Sequence, residues 1–146
     1  MPTSAPGSKA SRGFTLIEVL MVLALLVLAS VGATLALRDA GDTQLEHEAQ
    51  RLSSLLEAAR AQSRTSGAPI VWQSEGAGFA FAGPGLTSSF PTQWLGPDAV
   101  VAQGTRPLRL GPEPVIGPQA IELRLVGRPE RTLRLSTDGL RPFEVR

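Results

Sequence analysis

Cysteine is absent from the 146 residues, and histidine occurs once, at His47. Disulfide frameworks, thiolate metal sites and Cys/His or Ser/His nucleophile pairs each need residue types that the chain lacks or holds singly, so that chemistry is nearly excluded. Lysine is as scarce, with Lys9 the sole example, and most of the positive charge is carried by arginine. The 14 basic and 13 acidic side chains leave a formal charge of +1. That balance gives neither a nucleic-acid footprint over the whole surface nor a polyacidic tail. A phosphate loop is missing too, because Gly76, Gly78, Gly83 and Gly85 do not form GxGxxG ahead of a helix. The expectation is a structural protein without catalytic residues, cofactor, metal or small-molecule substrate, with room for one domain and one core.

What the chain does have is a long apolar run. Residues 14–37 read FTLIEVLMVLALLVLASVGATLAL, with Glu18 the single charge. As a helix rising about 1.5 Å per residue the run is roughly 36 Å long, enough to cross a hydrocarbon core of about 30 Å. Lys9 and Arg12 precede it and no basic residue recurs before Arg38. The positive-inside tendency therefore puts the amino terminus in the cytoplasm and the remainder outside.

Three readings of the run compete. A secretory signal peptide needs a small-residue cleavage site, which only Val31-Gly32-Ala33 approximates, and it would leave a carboxylate in the apolar region. A plain anchor leaves Glu18 unexplained, since an unpartnered carboxylate in a span costs on the order of 3 kcal/mol. Cleavage between Gly13 and Phe14 accounts for it. The new α-amino group of Phe14 then stands one helical turn before Glu18, and charges at i and i+4 share a face. Where such helices pack side by side, Glu18 of one can meet the Phe14 amine of a displaced neighbour, which neutralises both and fixes the stagger.

The arrangement Arg12-Gly13-Phe14-Thr15-Leu16-Ile17-Glu18-Val19 ahead of the apolar run closely resembles the processing motif of type IV pilins and pseudopilins. The resemblance implies that a prepilin peptidase removes a basic leader, residues 1–13, after Gly13 and methylates the amino group of Phe14. It also implies that Glu18 sets the assembly register of the helix over residues 14–37. Loss of Lys9 and Arg12 with the leader would take the 14 basic side chains to 12, against 13 acidic.

Downstream, residues 38–146 read as one α+β domain. Arg38 to Asp42 interrupts the hydrophobicity, and Gly41 offers a flexible point or kink in what is otherwise one continuous helix. Thr43 and Glu46 have capping-box spacing, and Leu45, Ala49, Leu52, Leu56 and Ala59 recur at helical intervals, predicting an amphipathic helix over 43–64. Its far face is expected to be solvated, carrying Glu46, Glu48, Arg51, Glu57 and Arg60, and His47 is expected to face solvent. Ser66-Gly67 and Pro69 stop the helix.

Residues 70–146 alternate in short segments, as strands do. One hairpin turns at Glu75-Gly76-Ala77-Gly78; residues 83–99 form a loop; a second hairpin turns at Gly127-Arg128-Pro129-Glu130. Thr137-Asp138-Gly139 turns the chain into a last strand over Leu140–Val145. Trp72 is expected in the core, whereas Trp94 suits a core or a contact surface equally. The expected fold is a long helix packed on an antiparallel sheet.

Residues 48–64, the run Gly67-Ala68-Pro69-Ile70-Val71-Trp72 and the closing Ser136-Thr137-Asp138-Gly139-Leu140-Arg141-Pro142-Phe143-Glu144-Val145 resemble the protein H family of minor pseudopilins. This implies a pilin-like fold and a subunit of the type II secretion pseudopilus. The implied site is the bacterial inner membrane, spanned once, with the carboxy-terminal domain in the periplasm. The partners would be other minor and major pseudopilins, the prepilin peptidase and the assembly platform of the secretion machinery. The leader also resembles that of FimT-like minor pilins of DNA uptake, and Gly127-Arg128-Pro129-Glu130-Arg131 is similar to their basic carboxy-terminal motif. Under that alternative Arg128, Arg131 and Arg134 would contact nucleic acid through its phosphates.

Overall fold

The computed structural model describes residues 14–98, 100–104 and 106–146, the side chains of residues 35–39 excepted. It divides into two compact units between Leu37 and Arg38.

The first unit holds the start of helix α1, Leu16–Ser66. Thr15 caps it: the Glu18 N–H points to Thr15 Oγ1 at 3.3 Å and to the Thr15 carbonyl at 3.1 Å. This gives one of the orphan amides of the first turn an acceptor. Leu16–Thr34 is long and apolar enough to cross a membrane. Its two described hydroxyls bond back to carbonyls one turn earlier, Ser30 to Leu26 at 2.7 Å and Thr34 to Ser30 at 2.9 Å. Neither then brings an unsatisfied donor into hydrocarbon.

In the second unit α1 continues to Ser66, and residues 38–42, where the hydrophobicity lapses, stay within one continuous helix. Tertiary contacts made by Gly41, Asp42 and Glu46 outweigh the weak local propensity there. The expected apolar stripe is the buried face: Leu45, Ala49, Leu52, Leu56 and Ala59 join one core with Ile70, Trp72, Phe79, Val100, Ile121, Leu123 and Leu135. Full burial of each leucine contributes about 2 kcal/mol. Gly67, at φ +67, ends α1 in the left-handed conformation that glycine adopts without a Cβ penalty.

Among the described residues seven antiparallel strands follow: β1 Val71–Glu75, β2 Gly78–Ala82, β3 Val100–Gln103, β4 Leu108–Arg109, β5 Gln119–Leu125, β6 Arg128–Thr137 and β7 Glu144–Val145. They form two sheets rather than one, in the orders β2-β1-β4 and β3-β5-β6-β7. The first hairpin turns where expected, with Glu75 opposite Gly78. The second turns earlier: Arg128 already pairs with Leu125, so Pro129 and Glu130 lie in β6, and a bulge at Arg124/Leu125 absorbs the mismatch. The last strand is shorter than expected. Leu140 to Phe143 instead belong to the irregular segment that follows the Asp138 turn.

Among the described residues of 83–99 no strand forms, as expected, but the segment packs against the body. Leu86, Phe90 and Trp94 lie against the core, and the Trp94 ring stands 4.7 Å from that of Phe79. Trp94 thus takes the core role, and Trp72 is buried with its ring 6.2 Å from the same Phe79. The outer edge of β4 is closed by a side chain: Arg109 N–H donates to Gln119 Oε1 at 2.7 Å and Gln119 Nε2 donates to the Arg109 carbonyl at 2.9 Å. A single amide there supplies the two bonds that a neighbouring strand would make.

Candidate functional site

Phe14 is exposed immediately ahead of α1, and Glu18 is exposed in its first turn. Gly13 and the leader at 1–13 lie outside the described residues. Thr15 is a residue that the sequence reading passed over, although the Thr-x-x-Glu spacing to Glu18 is a capping signal. An acidic residue at this position also complements the positive end of the helix dipole.

The arginines considered for phosphate contact do not act as one group. Arg131 Nη2 lies 2.8 Å from Glu46 Oε1, and its Nε lies 3.3 Å from Asp42 Oδ1. Arg128 Nη1 is 3.9 Å from the same Asp42 oxygen. A Cβ added at Gly41 would collide with the Arg128 guanidinium, so the absence of a side chain gives that arginine its seat on α1. The partners were hidden from the sequence because Glu46 and Arg131 stand 85 residues apart, although the i,i+4 spacing of Asp42 and Glu46 was readable. Arg134 is separate. It is exposed on β6, with Glu122 opposite it in register, and lines an open cavity of about 420 Å³ with Ser136, Arg141, Glu144 and Arg146.

Residues 8–34 match the family model described as the prokaryotic N-terminal methylation motif. No curated protein and no solved structure matches the chain. The matched segment contains Arg12, Gly13, Phe14 and Glu18 and runs into the exposed apolar start of α1. The match supports a type IV pilin-like reading of the chain. For a pilin-like chain this motif points to processing by a prepilin peptidase and to pilus-like assembly. The apolar helix Leu16–Thr34 fits a single-pass membrane anchor.

Two charges expected on a solvated face of α1 are buried instead. Glu48 is 3% exposed and accepts the N–H groups of Leu95 and Gly96 at Oε1, the latter at 2.8 Å. Arg51, 3.3 Å from Glu48 Oε2, donates to the Gln93 carbonyl at 3.0 Å. Arg60 is 2% exposed and donates to the carbonyls of Pro114, Gly139 and Arg141, with Glu57 3.7 Å away. Glu57 also accepts the Phe143 N–H at 3.1 Å. Backbone groups left without strand partners find their partners in these side chains, which is why ionised groups are tolerated inside.

Asp138 behaves as expected of a turn residue. Its Oδ1 accepts the N–H groups of Arg141 and Leu140 at 2.8 and 3.0 Å, and its Oδ2 accepts from Arg141 Nε at 2.9 Å. These bonds, the Arg141 amide first, hold the carboxyl well below the usual aspartate range. His47 is exposed as expected, and no group of three or more metal-binding side chains occurs among the described residues.

Proposed function

We propose that this chain is a minor pseudopilin of a type II secretion system, a structural subunit rather than an enzyme. In this reading prepilin peptidase cuts after Gly13, Phe14 receives the methyl group, and Glu18 pairs with a neighbouring amine to set the register. The subunit then joins other pseudopilins on the assembly platform, spans the inner membrane once with its sheets in the periplasm, and serves export of folded proteins across the outer membrane. The observation that carries the reading is the processing motif, matched over residues 8–34, whose apolar part is the start of a helix that continues into an α+β domain.

A second reading, a FimT-like minor pilin active in pilus assembly or DNA uptake, needs exposed arginines. Arg134 suits it, being exposed and without a carboxylate within ion-pair distance among the described residues. Arg128 and Arg131 suit it less, because Asp42 and Glu46 already face them. Deleting the gene and assaying exoprotein secretion and transforming-DNA uptake in parallel separates the two. Lost secretion with normal uptake is the outcome expected; lost uptake with normal secretion would make the DNA reading the answer.

A further inference from the structure

Asp39, Gly41, Asp42 and Thr43 are poor helix formers clustered in a few residues, yet α1 passes through them without a break. The β5–β6 hairpin supplies what local propensity does not. Arg131 bridges Asp42 and Glu46, which share a helix face at i,i+4, and the Arg128 guanidinium lies against Gly41. Arg131, Asp42 and Glu46 are 41%, 37% and 52% exposed in their side chains. Ion pairs that wet are weak and screened by salt, so the strap only modestly outweighs the tendency of the segment to unwind.

Glu46 holds a second option. It stands three residues after Thr43, the spacing at which an N3 carboxylate bonds the N-cap N–H while the N-cap hydroxyl takes the N3 N–H. In the structure this pair is interior to α1 and Glu46 faces Arg131. The geometry points to a two-state helix start built around Glu46. With Arg131 engaged, α1 is continuous across Gly41. With Arg131 released, residues 38–42 unwind and the helix restarts at Thr43, Glu46 exchanging the guanidinium for the Thr43 N–H. Leu45 and the core residues after it remain helical in both states, so the change stops at the cap.

Amide hydrogen exchange on the full chain in detergent micelles tests this residue by residue. Arg131→Gln is expected to speed exchange at Gly41, Asp42 and Gln44 on the order of fivefold, the size an exposed pair commands, with Glu48 to Leu56 unchanged. Adding Thr43→Ala to that variant is expected to carry the faster exchange on to Glu46, whose N–H loses the Thr43 hydroxyl. Unaltered exchange in Arg131→Gln would sink the strap. A rise reaching through Leu56 in that single variant, or no further spread on adding Thr43→Ala, would sink the latent cap.

Discussion

Arg60 Nη2 donates to the carbonyl oxygen of Gly139 at 2.6 Å, joining α1 to a turn 79 residues further along the chain. The same guanidinium reaches the carbonyls of Pro114 and Arg141, each at 3.3 Å. One buried cation therefore holds two irregular segments that have no ladder of their own. Arg60→Ala leaves three carbonyls without this donor and is expected to destabilise the domain by about 3 kcal/mol. Arg60→Lys, a point charge without the planar fork, should cost about half as much. Denaturant midpoints followed by tryptophan fluorescence measure both, and an Arg60→Ala midpoint equal to that of the unaltered chain would remove the staple role.

Glu48 does the same for the segment carrying Trp94. Glu48→Ala strips the acceptor from the Leu95 and Gly96 amides and is expected to cost about 2 kcal/mol. Limited proteolysis should then cut between Gln93 and Gly96 well before it cuts elsewhere in the domain. Glu48→Gln, which keeps an acceptor oxygen, should fall between. Equal cleavage in all three chains would mean that packing of Trp94 alone holds the segment.

The Asp138 carboxyl titrates below its ordinary value of 3.8 because the folded turn donates to it. A group depressed on folding adds stability that is fully present above the ordinary value and is lost as the pH falls below it. Asp138→Asn should therefore flatten the stability profile under about pH 4 and leave its shape near neutrality unchanged. Parallel profiles for the two chains between about pH 2 and 5 would show that the turn does not sense the carboxyl charge.

At the amino terminus, replacing Gly13 by a bulky residue should block maturation, read as persistence of the longer product on a gel. A normally shortened product would refute the cleavage site. Glu18→Ala should leave membrane insertion intact, since the apolar helix remains, but reduce incorporation into assemblies. Wild-type incorporation and secretion in that variant would exclude the register role.

How much of this was readable beforehand depended on the range of the interaction involved. The stripe from Leu45 to Ala59, the hairpin at Gly76 and the Asp138 turn follow from neighbours a few residues apart, and their positions were legible. β3 and β4 escaped because they are four and two residues long, too short to establish a period. Glu48 and Arg60 were misplaced because charge alone assigns a side chain to solvent, whereas their partners are backbone groups from segments far along the chain. Gly41 was read as a kink for want of any sign that Arg128 would lie against it. The processing motif was legible from contiguous residues; the split of Arg128 and Arg131 from Arg134 depended on the register of β6.

The buried charges on α1 also bear on the order in which the domain can assemble. Leu95 and Gly96 lie 47 and 48 residues from Glu48, and Gly139 and Arg141 lie 79 and 81 residues from Arg60. Closing such loops costs entropy before any bond repays it. Neither irregular segment can settle until α1 offers its partner, and α1 leaves the ribosome first. A chain in which α1 is slow to form would hold both segments open together, with Trp94 and Phe143 exposed for the whole of that interval.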